Sequence, residues 1–172
     1  MRLTKPKFWK TKNFLSFILY PLSLITYLIN ILKKFSIKKN FEIKTICIGN
    51  IFVGGTGKTS LAIEINELLR KKFKTVFIKK NYENQSDEIN LLRKKGKIIS
   101  LNNRENALLT AINKKYHVTI LDDGLQQKNI NYDLKIVCFN SYDAFGNGFM
   151  FPAGPLRESI KEIKNYDLAF LN

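Results

Sequence analysis

Ile46-Cys47-Ile48-Gly49-Asn50-Ile51-Phe52-Val53-Gly54-Gly55-Thr56-Gly57-Lys58-Thr59 decides the reading of this chain. A short β-branched, apolar run enters a glycine-rich turn, then Lys-Thr, then a helical pattern carried by Leu61, Ile65, Leu68 and Leu69. That order describes a phosphate-binding loop between a strand and a helix. Gly54, Gly55 and Gly57 can take positive φ and let the backbone close on an anion. The loop amides and the helix N-terminus then offer fixed positive dipoles to a polyphosphate. Lys58 would reach the β- and γ-phosphates, and the Thr59 hydroxyl would bind Mg²⁺. Thr56, and Asp123 farther along the chain, complete the nucleotide-binding set.

The standard spacing G-x-x-x-x-G-K-[ST] asks for glycine at position 52, where Phe52 stands. What remains, Gly-Gly-Thr-Gly-Lys-Thr, resembles the variant loops of the deviant Walker A ATPases, without their extra lysine before the first glycine. The competing reading is an ordinary strand-turn-helix corner whose glycines only make the turn.

Downstream, apolar runs alternate with helical patterns. Strands are expected at Thr45–Ile48, Thr75–Ile78, Lys97–Leu101, Val118–Leu121, Leu134–Phe139 and Leu168–Leu171. Helices are expected from the phosphate loop to about Arg70, at Asp87–Lys94, at Arg104–Asn113 and at Leu156–Lys164, with a polar loop from Lys79 to Ser86. Such alternation makes an α/β fold, a mainly parallel sheet with helices on both faces, of the P-loop NTPase kind. With 172 residues and 45% hydrophobic content, the chain is a single folded domain by default and not a disordered polymer. Cys47 and Cys138 fall inside predicted strands and read as small core residues of a reducing compartment. His117, at the head of an apolar run, reads as structural.

The net charge of +15 is unevenly spread. Residues 1–41 carry nine basic and no acidic side chains, against 20 basic and 14 acidic in the remainder. A concentrated basic end calls for an anionic partner. Between its two lysine clusters runs Phe14 to Leu32 without a charge. As a helix this is about 28 Å long, just short of a hydrocarbon core of about 30 Å. Ser16, Tyr20, Ser23, Tyr27 and Asn30 form a weakly polar stripe along it, and Pro21 is expected to interrupt its backbone. These features describe a membrane anchor, embedded or lying in the surface, with the polar stripe against the protein. A buried core helix is the alternative. Nucleic acid is not the expected partner, because an uncharged apolar interval suits no phosphate-tracking surface. The chain thus divides into an anchoring segment, 1–41, and a nucleotide-binding domain, 42–172.

Three groups of residues could act with the loop. Asp122-Asp123-Gly124 follows a strand, on the edge of a parallel sheet where ligands bind, so Asp122 could hold Mg²⁺ as a Walker B residue does. Asp-Gly after a strand is also ordinary turn chemistry. Asp87-Glu88 opens a helix: either residue could simply favour the first turn, or Asp87 could take the proton of an acceptor hydroxyl. Glu88 joins Thr59 and Asp122 as a candidate Mg²⁺ ligand. Arg157, in a glycine- and proline-rich loop, could contact transferring phosphate or pair with Glu158 or Glu162 on the surface.

Taken together, these residues resemble the tetraacyldisaccharide 4′-kinase family. The matching elements are Lys5-Pro6-Lys7-Phe8-Trp9, Gly49-Asn50, Val53 to Thr59, Asp87-Glu88, Asp122-Asp123-Gly124-Leu125-Gln126, Phe145-Gly146-Asn147-Gly148 and Pro152-Ala153-Gly154-Pro155-Leu156-Arg157-Glu158. The resemblance implies a kinase that uses ATP and Mg²⁺ to phosphorylate the 4′-hydroxyl of a tetraacyldisaccharide 1-phosphate in lipid A biosynthesis. Such kinases sit on the cytoplasmic face of the inner membrane. It implies Asp87 as catalytic base, Lys58 and Arg157 as catalytic cations, and Asp122 and Asp123 as the Walker B-like pair. Two departures stand out. Family members carry Ser-Arg-Gly-Tyr and an insertion where Lys79-Lys80-Asn81-Tyr82 leads almost at once to Ser86-Asp87-Glu88, and Leu125 and Gln127 replace Phe and His. Family members are also nearly twice as long, with a second lobe and an assisting histidine. The chain is therefore expected to be a fragment or a reduced form. The alternative function is a membrane-associated nucleotide-binding module without transfer activity.

Overall fold

A computed structural model describes residues 6–81, 86–142 and 145–172. Six strands, all parallel, form one sheet: β1 (Lys44–Gly49), β2 (Thr75–Lys80), β3 (Ile98–Leu101), β4 (Val118–Asp122), β5 (Leu134–Phe139) and β6 (Leu168–Leu171). Their order across the sheet is β3-β2-β4-β1-β5-β6. The chain first builds to one side of β1, then crosses to the other, so β1 and β4 lie side by side where the winding reverses. Crevices for ligands open at that point, beyond the carboxyl ends of the strands.

Strands buried on both faces need apolar residues throughout, and β4 has no exposed position. One face packs Cys47, Val76, Ile78, Leu121 and Val137 against Ala107, Leu108 and Ala111 of α4 (Arg104–Asn113). The other packs Ile48, Phe77, Ile120, Ile136 and Cys138 against Ala62 and Leu92, from α2 (Lys58–Leu69) and α3 (Ser86–Lys95). Both cysteines are free and buried. His117 does structural work: its Nδ1 accepts the backbone N–H of Lys74 at 3.2 Å.

Two expected boundaries move. β2 continues through Lys79 and Lys80 instead of ending at Ile78, because Lys79 is 2% exposed and ion-paired inside the sheet edge. Of the expected loop, Asn81 is described, while residues 82–85 lie outside the described ones, as does Lys5 of the amino-terminal motif. The helix expected over Leu156–Lys164 is a 3-10 segment, Ile160–Asn165. Its first residues are taken elsewhere: Arg157 N–H donates to the Ile51 carbonyl at 2.7 Å, and Leu156 bridges to Phe52. Backbone groups spent on cross-chain pairing cannot start a helix.

The amino-terminal helix α1 (Phe14–Lys34) begins at Asn13, whose side chain accepts Ser16 N–H while the Ser16 hydroxyl accepts Asn13 N–H. Contrary to expectation it runs unbroken through Pro21. Two residues of its polar stripe, joined by Thr26 on the same side, supply ties to the body that offset the missing N–H. Ser23 Oγ donates to the Met150 carbonyl at 2.7 Å, Thr26 Oγ1 to the Phe151 carbonyl at 2.7 Å, and Asn30 Nδ2 to the Arg157 carbonyl at 2.7 Å. Tyr20 packs at a tilt against Phe149, with ring centroids 5.0 Å apart. The opposite face is bare: Ile18, Ile25, Leu28 and Leu32 are all exposed. α1 is therefore no core helix, and it is long and apolar enough to cross a membrane by length and composition.

Candidate active site

The phosphate loop hangs from the end of β1. Asn50, fully buried, donates from Nδ2 to the Gly54 carbonyl and the Thr56 hydroxyl, both at 3.1 Å, and so fixes the curl of the loop. Gln126 Nε2 holds the Asn50 carbonyl at 2.7 Å. Gly54 and Gly57 have φ of 138° and 75°, whereas Gly55 has no left-handed φ and its side-chain position faces open space. At Gly57 a Cβ would also meet the Asn172 side chain at 3.0 Å. Gly57 is also the N-cap of α2 and provides no side-chain cap. The first-turn amides stay open toward an anion.

Phe52, the departure from the loop pattern, has a structural cause. It is 4% exposed and bridges antiparallel to Leu156, and Val53 N–H donates to the Pro155 carbonyl at 2.8 Å. The position belongs to a two-chain ladder, not to the phosphate cradle. That ladder carries Arg157 in beside the loop.

Asp122 closes β4 directly beside Ile48 of β1 and across from Lys79 of β2. Its Oδ2 accepts the Thr59 hydroxyl at 3.0 Å and Lys79 Nζ at 2.6 Å. Its Oδ1 is buried with no hydrogen-bond partner among the described residues. A hydroxyl beside a carboxylate with a spare buried oxygen suits a hard dication or its bound water, so Thr59 and Asp122 fit Mg²⁺. Glu88 enters indirectly: Lys79 Nζ contacts its carboxylate at 2.5 Å. Burial alone would lower the Lys79 pKa, but Asp122 and then Glu88 outweigh it and hold the ammonium above its ordinary value. Asp87, exposed in the first turn of α3, stands next to Glu88 on the same sheet edge as Thr59.

Asp123 takes the left-handed φ of 63°, a conformation that costs a residue with a Cβ of order 1 kcal/mol. Its N–H is held by the Ile48 carbonyl at 2.8 Å and its carbonyl by Arg104 at 2.6 Å. So constrained, its carboxylate faces two cations, Lys58 Nζ at 3.7 Å and the Arg157 guanidinium at 3.2 and 3.3 Å. Burial opposes its ionisation, yet Lys58 and then Arg157 prevail and hold the carboxyl below the ordinary carboxylate range. Arg157 does not pair with the two glutamates that the sequence offered. Glu158 accepts from Lys128 at 2.8 Å and from Tyr166 at 2.9 Å, and Glu162 pairs with Lys34.

The arrangement therefore brings together Lys58, Thr59, Asp122, Asp123 and Arg157, with Glu88 joined through Lys79. Sequence reading passed over Lys79 and gave no role to Asn50, Gln126 or Arg104. The one signal for Lys79 was a pair of lysines continuing a buried strand.

A model of the family described as tetraacyldisaccharide-1-P 4′-kinase matches residues 15–172. The chain is 51% identical over 175 residues to the tetraacyldisaccharide 4′-kinase of Pelagibacter ubique (strain HTCC1062), covering 100% of this chain and 56% of that one. It is 35% identical over 191 residues to that of Rickettsia canadensis (strain McKiel), covering 99% and 58%. Among solved structures, LpxK from Aquifex aeolicus in complex with ATP superposes with a TM-score of 0.81 at 28% identity, covering 92% of this chain and 59% of that one. The chain spans just over half the length of the curated relatives it matches.

Proposed function

The chain belongs to the tetraacyldisaccharide-1-P 4′-kinase family, and on that premise we propose that it binds MgATP and serves transfer of the γ-phosphoryl group to the 4′-hydroxyl of a tetraacyldisaccharide 1-phosphate. The observation that carries this reading is the meeting of Thr59 with Asp122, and of Lys58 and Arg157 with Asp123, at the tips of two adjacent parallel strands.

In this reading the Gly54–Thr59 backbone cradles the polyphosphate, and Gly54, Gly55, Thr56 and Gly57 shape that cradle. Thr59 and Asp122 would hold Mg²⁺, with Glu88 linked to them through Lys79, and the ion would supply neutralisation of phosphate charge. Lys58 and Arg157 exchange part of their pairing with Asp123 for the oxygens of the transferring group, and Asp123 keeps both cations aimed. Asp87 accepts the proton of the attacking hydroxyl, its exposure at the start of α3 leaving it open to an acceptor. Residues 1–41 anchor the 42–172 domain at the cytoplasmic face of the inner membrane. The bare face of α1 enters the lipid, and the flanking lysines meet anionic headgroups.

The test is ATP-dependent labelling of a tetraacyldisaccharide 1-phosphate presented in vesicles. Lys58→Ala should lower labelling at least about a hundredfold, the scale of losing one transition-state charge contact, while vesicle association stays unchanged. Undiminished labelling by Lys58→Ala would overturn the assignment. ATP binding by the unaltered chain with no labelled lipid would point to a nucleotide-binding module without transfer activity.

A further inference from the structure

We propose that Lys79 is a built-in counter-ion that keeps the Asp122–Glu88 acid pair from taking a bare divalent cation, so that the metal enters only together with a triphosphate. This rests on the nucleotide-binding reading above and adds to it an order of binding.

The argument begins with placement. Lys79 and Asp122 are register partners on adjacent strands, so both side chains project from the same face of the sheet, the one covered by α2 and α3. Lys79 is 2% exposed and Asp122 not exposed at all. The ammonium lies between two carboxylates, 2.6 Å from Asp122 Oδ2 and 2.5 Å from Glu88. A lysine this enclosed is rare unless paired, and here it is paired twice.

Charge counting gives the consequence. Asp122 and Glu88 together carry two negative charges, and Lys79 reduces the trio to one. A hard dication binds in proportion to the charge and number of its oxygen ligands. Asp122 Oδ2 is already occupied by two donors, Thr59 and Lys79. Within the buried part of the site a bare dication is left with Asp122 Oδ1 and one neutral hydroxyl, with Glu88 half-exposed and already paired to Lys79, too little to replace its water shell. A triphosphate in the adjacent loop supplies the missing anionic oxygens, and the spare oxygen then finds a metal-bound water. The same ammonium ties the tip of β4 to the first turn of α3, and so fixes Asp87's helix relative to the loop.

Removal of the positive charge at constant volume should reverse the order of binding. In Lys79→Met two carboxylates face each other without a counter-ion, one of them fully buried, and a dication becomes their best partner. The experiment is an Mn²⁺ titration of the 172-residue chain followed by electron paramagnetic resonance, with and without ATP, beside thermal unfolding. The unaltered chain and Lys79→Arg should bind Mn²⁺ weakly until ATP is added. Lys79→Met should bind it at least about tenfold more tightly without nucleotide, as expected for removing a cation in contact with the site. Its Tm should fall in metal-free buffer and recover with Mn²⁺. If folded Lys79→Met shows no gain in nucleotide-free Mn²⁺ affinity, the proposal is overturned. Should that variant not fold, Lys79→Gln, which can still donate a hydrogen bond to Asp122, decides by the same comparison. Failure of the underlying reading would appear separately, as an unaltered chain that does not bind ATP.

Discussion

Asp123 shows how much one residue can be made to carry. Its strained backbone is held by Ile48 and Arg104 so that its carboxylate meets Lys58 and Arg157 together. Since the folded-state pKa is depressed, the ion pairs stabilise the protein above the unfolded value near 3.9, and that stability is lost as pH falls through the lower folded value. Asp123→Asn should therefore cost about 1.5–3 kcal/mol near neutral pH, the scale of a hydrogen bond to a charged group. The difference from the unaltered chain should shrink steadily below about pH 4. Urea unfolding at a series of pH values measures it, and a pH-independent difference would contradict the charge pairing. At this scale the phosphate loop was legible because its signal is local: glycines, Lys and Thr in fixed sequence order. Lys79 was not legible. Two lysines after an apolar run look like the start of a loop, and only the register of β2 against β4 shows the acid waiting opposite.

Elements differ in legibility for the same reason. The stripe of Ser16, Tyr20, Ser23, Tyr27 and Asn30 was readable because helix geometry alone puts those residues on one side, and three hydrogen bonds from that side of α1, donated by Ser23, Thr26 and Asn30, now tie it to residues 150–157. The segment after Leu156 was misread as helix because its apolar period is real while the Leu156 amide is committed to the Phe149 carbonyl and the Arg157 amide to the Ile51 carbonyl. One of the α1 ties has mechanical weight. Asn30 grips the carbonyl of Arg157, the same residue whose guanidinium faces Asp123. Asn30→Leu keeps the volume and removes that grip. Labelling of lipid acceptor should fall about three- to tenfold, the effect of losing one hydrogen bond of about 1 kcal/mol at a positioning contact, with ATP affinity and vesicle association unchanged. Equal turnover in this variant would mean that the ladder with Ile51 positions Arg157 unaided.

For the molecule as a whole, charge and apolar surface are concentrated at one end. Nine of the 29 basic residues lie within the first 41 positions, around a helix whose outer side is bare hydrocarbon. Two forces should then act in series on a bilayer. Attraction between lysines and anionic headgroups acts over roughly 10 Å at 0.1 M salt and weakens as salt rises, whereas burial of Ile25, Leu28 and Leu32 in the acyl region is not screened. Co-sedimentation with anionic vesicles should accordingly decline between about 0.05 and 0.5 M salt without vanishing. In Ile25→Glu/Leu28→Glu the salt-resistant fraction should disappear while ATP binding is retained, since both side chains point away from the body. Complete release of the unaltered chain by salt would show that the helix only hovers at the headgroups, held by charge alone. On the proposed function, the site would then face an acyl disaccharide from outside the bilayer, and Asp87, as the proposed base, would have to meet a hydroxyl raised above the lipid plane.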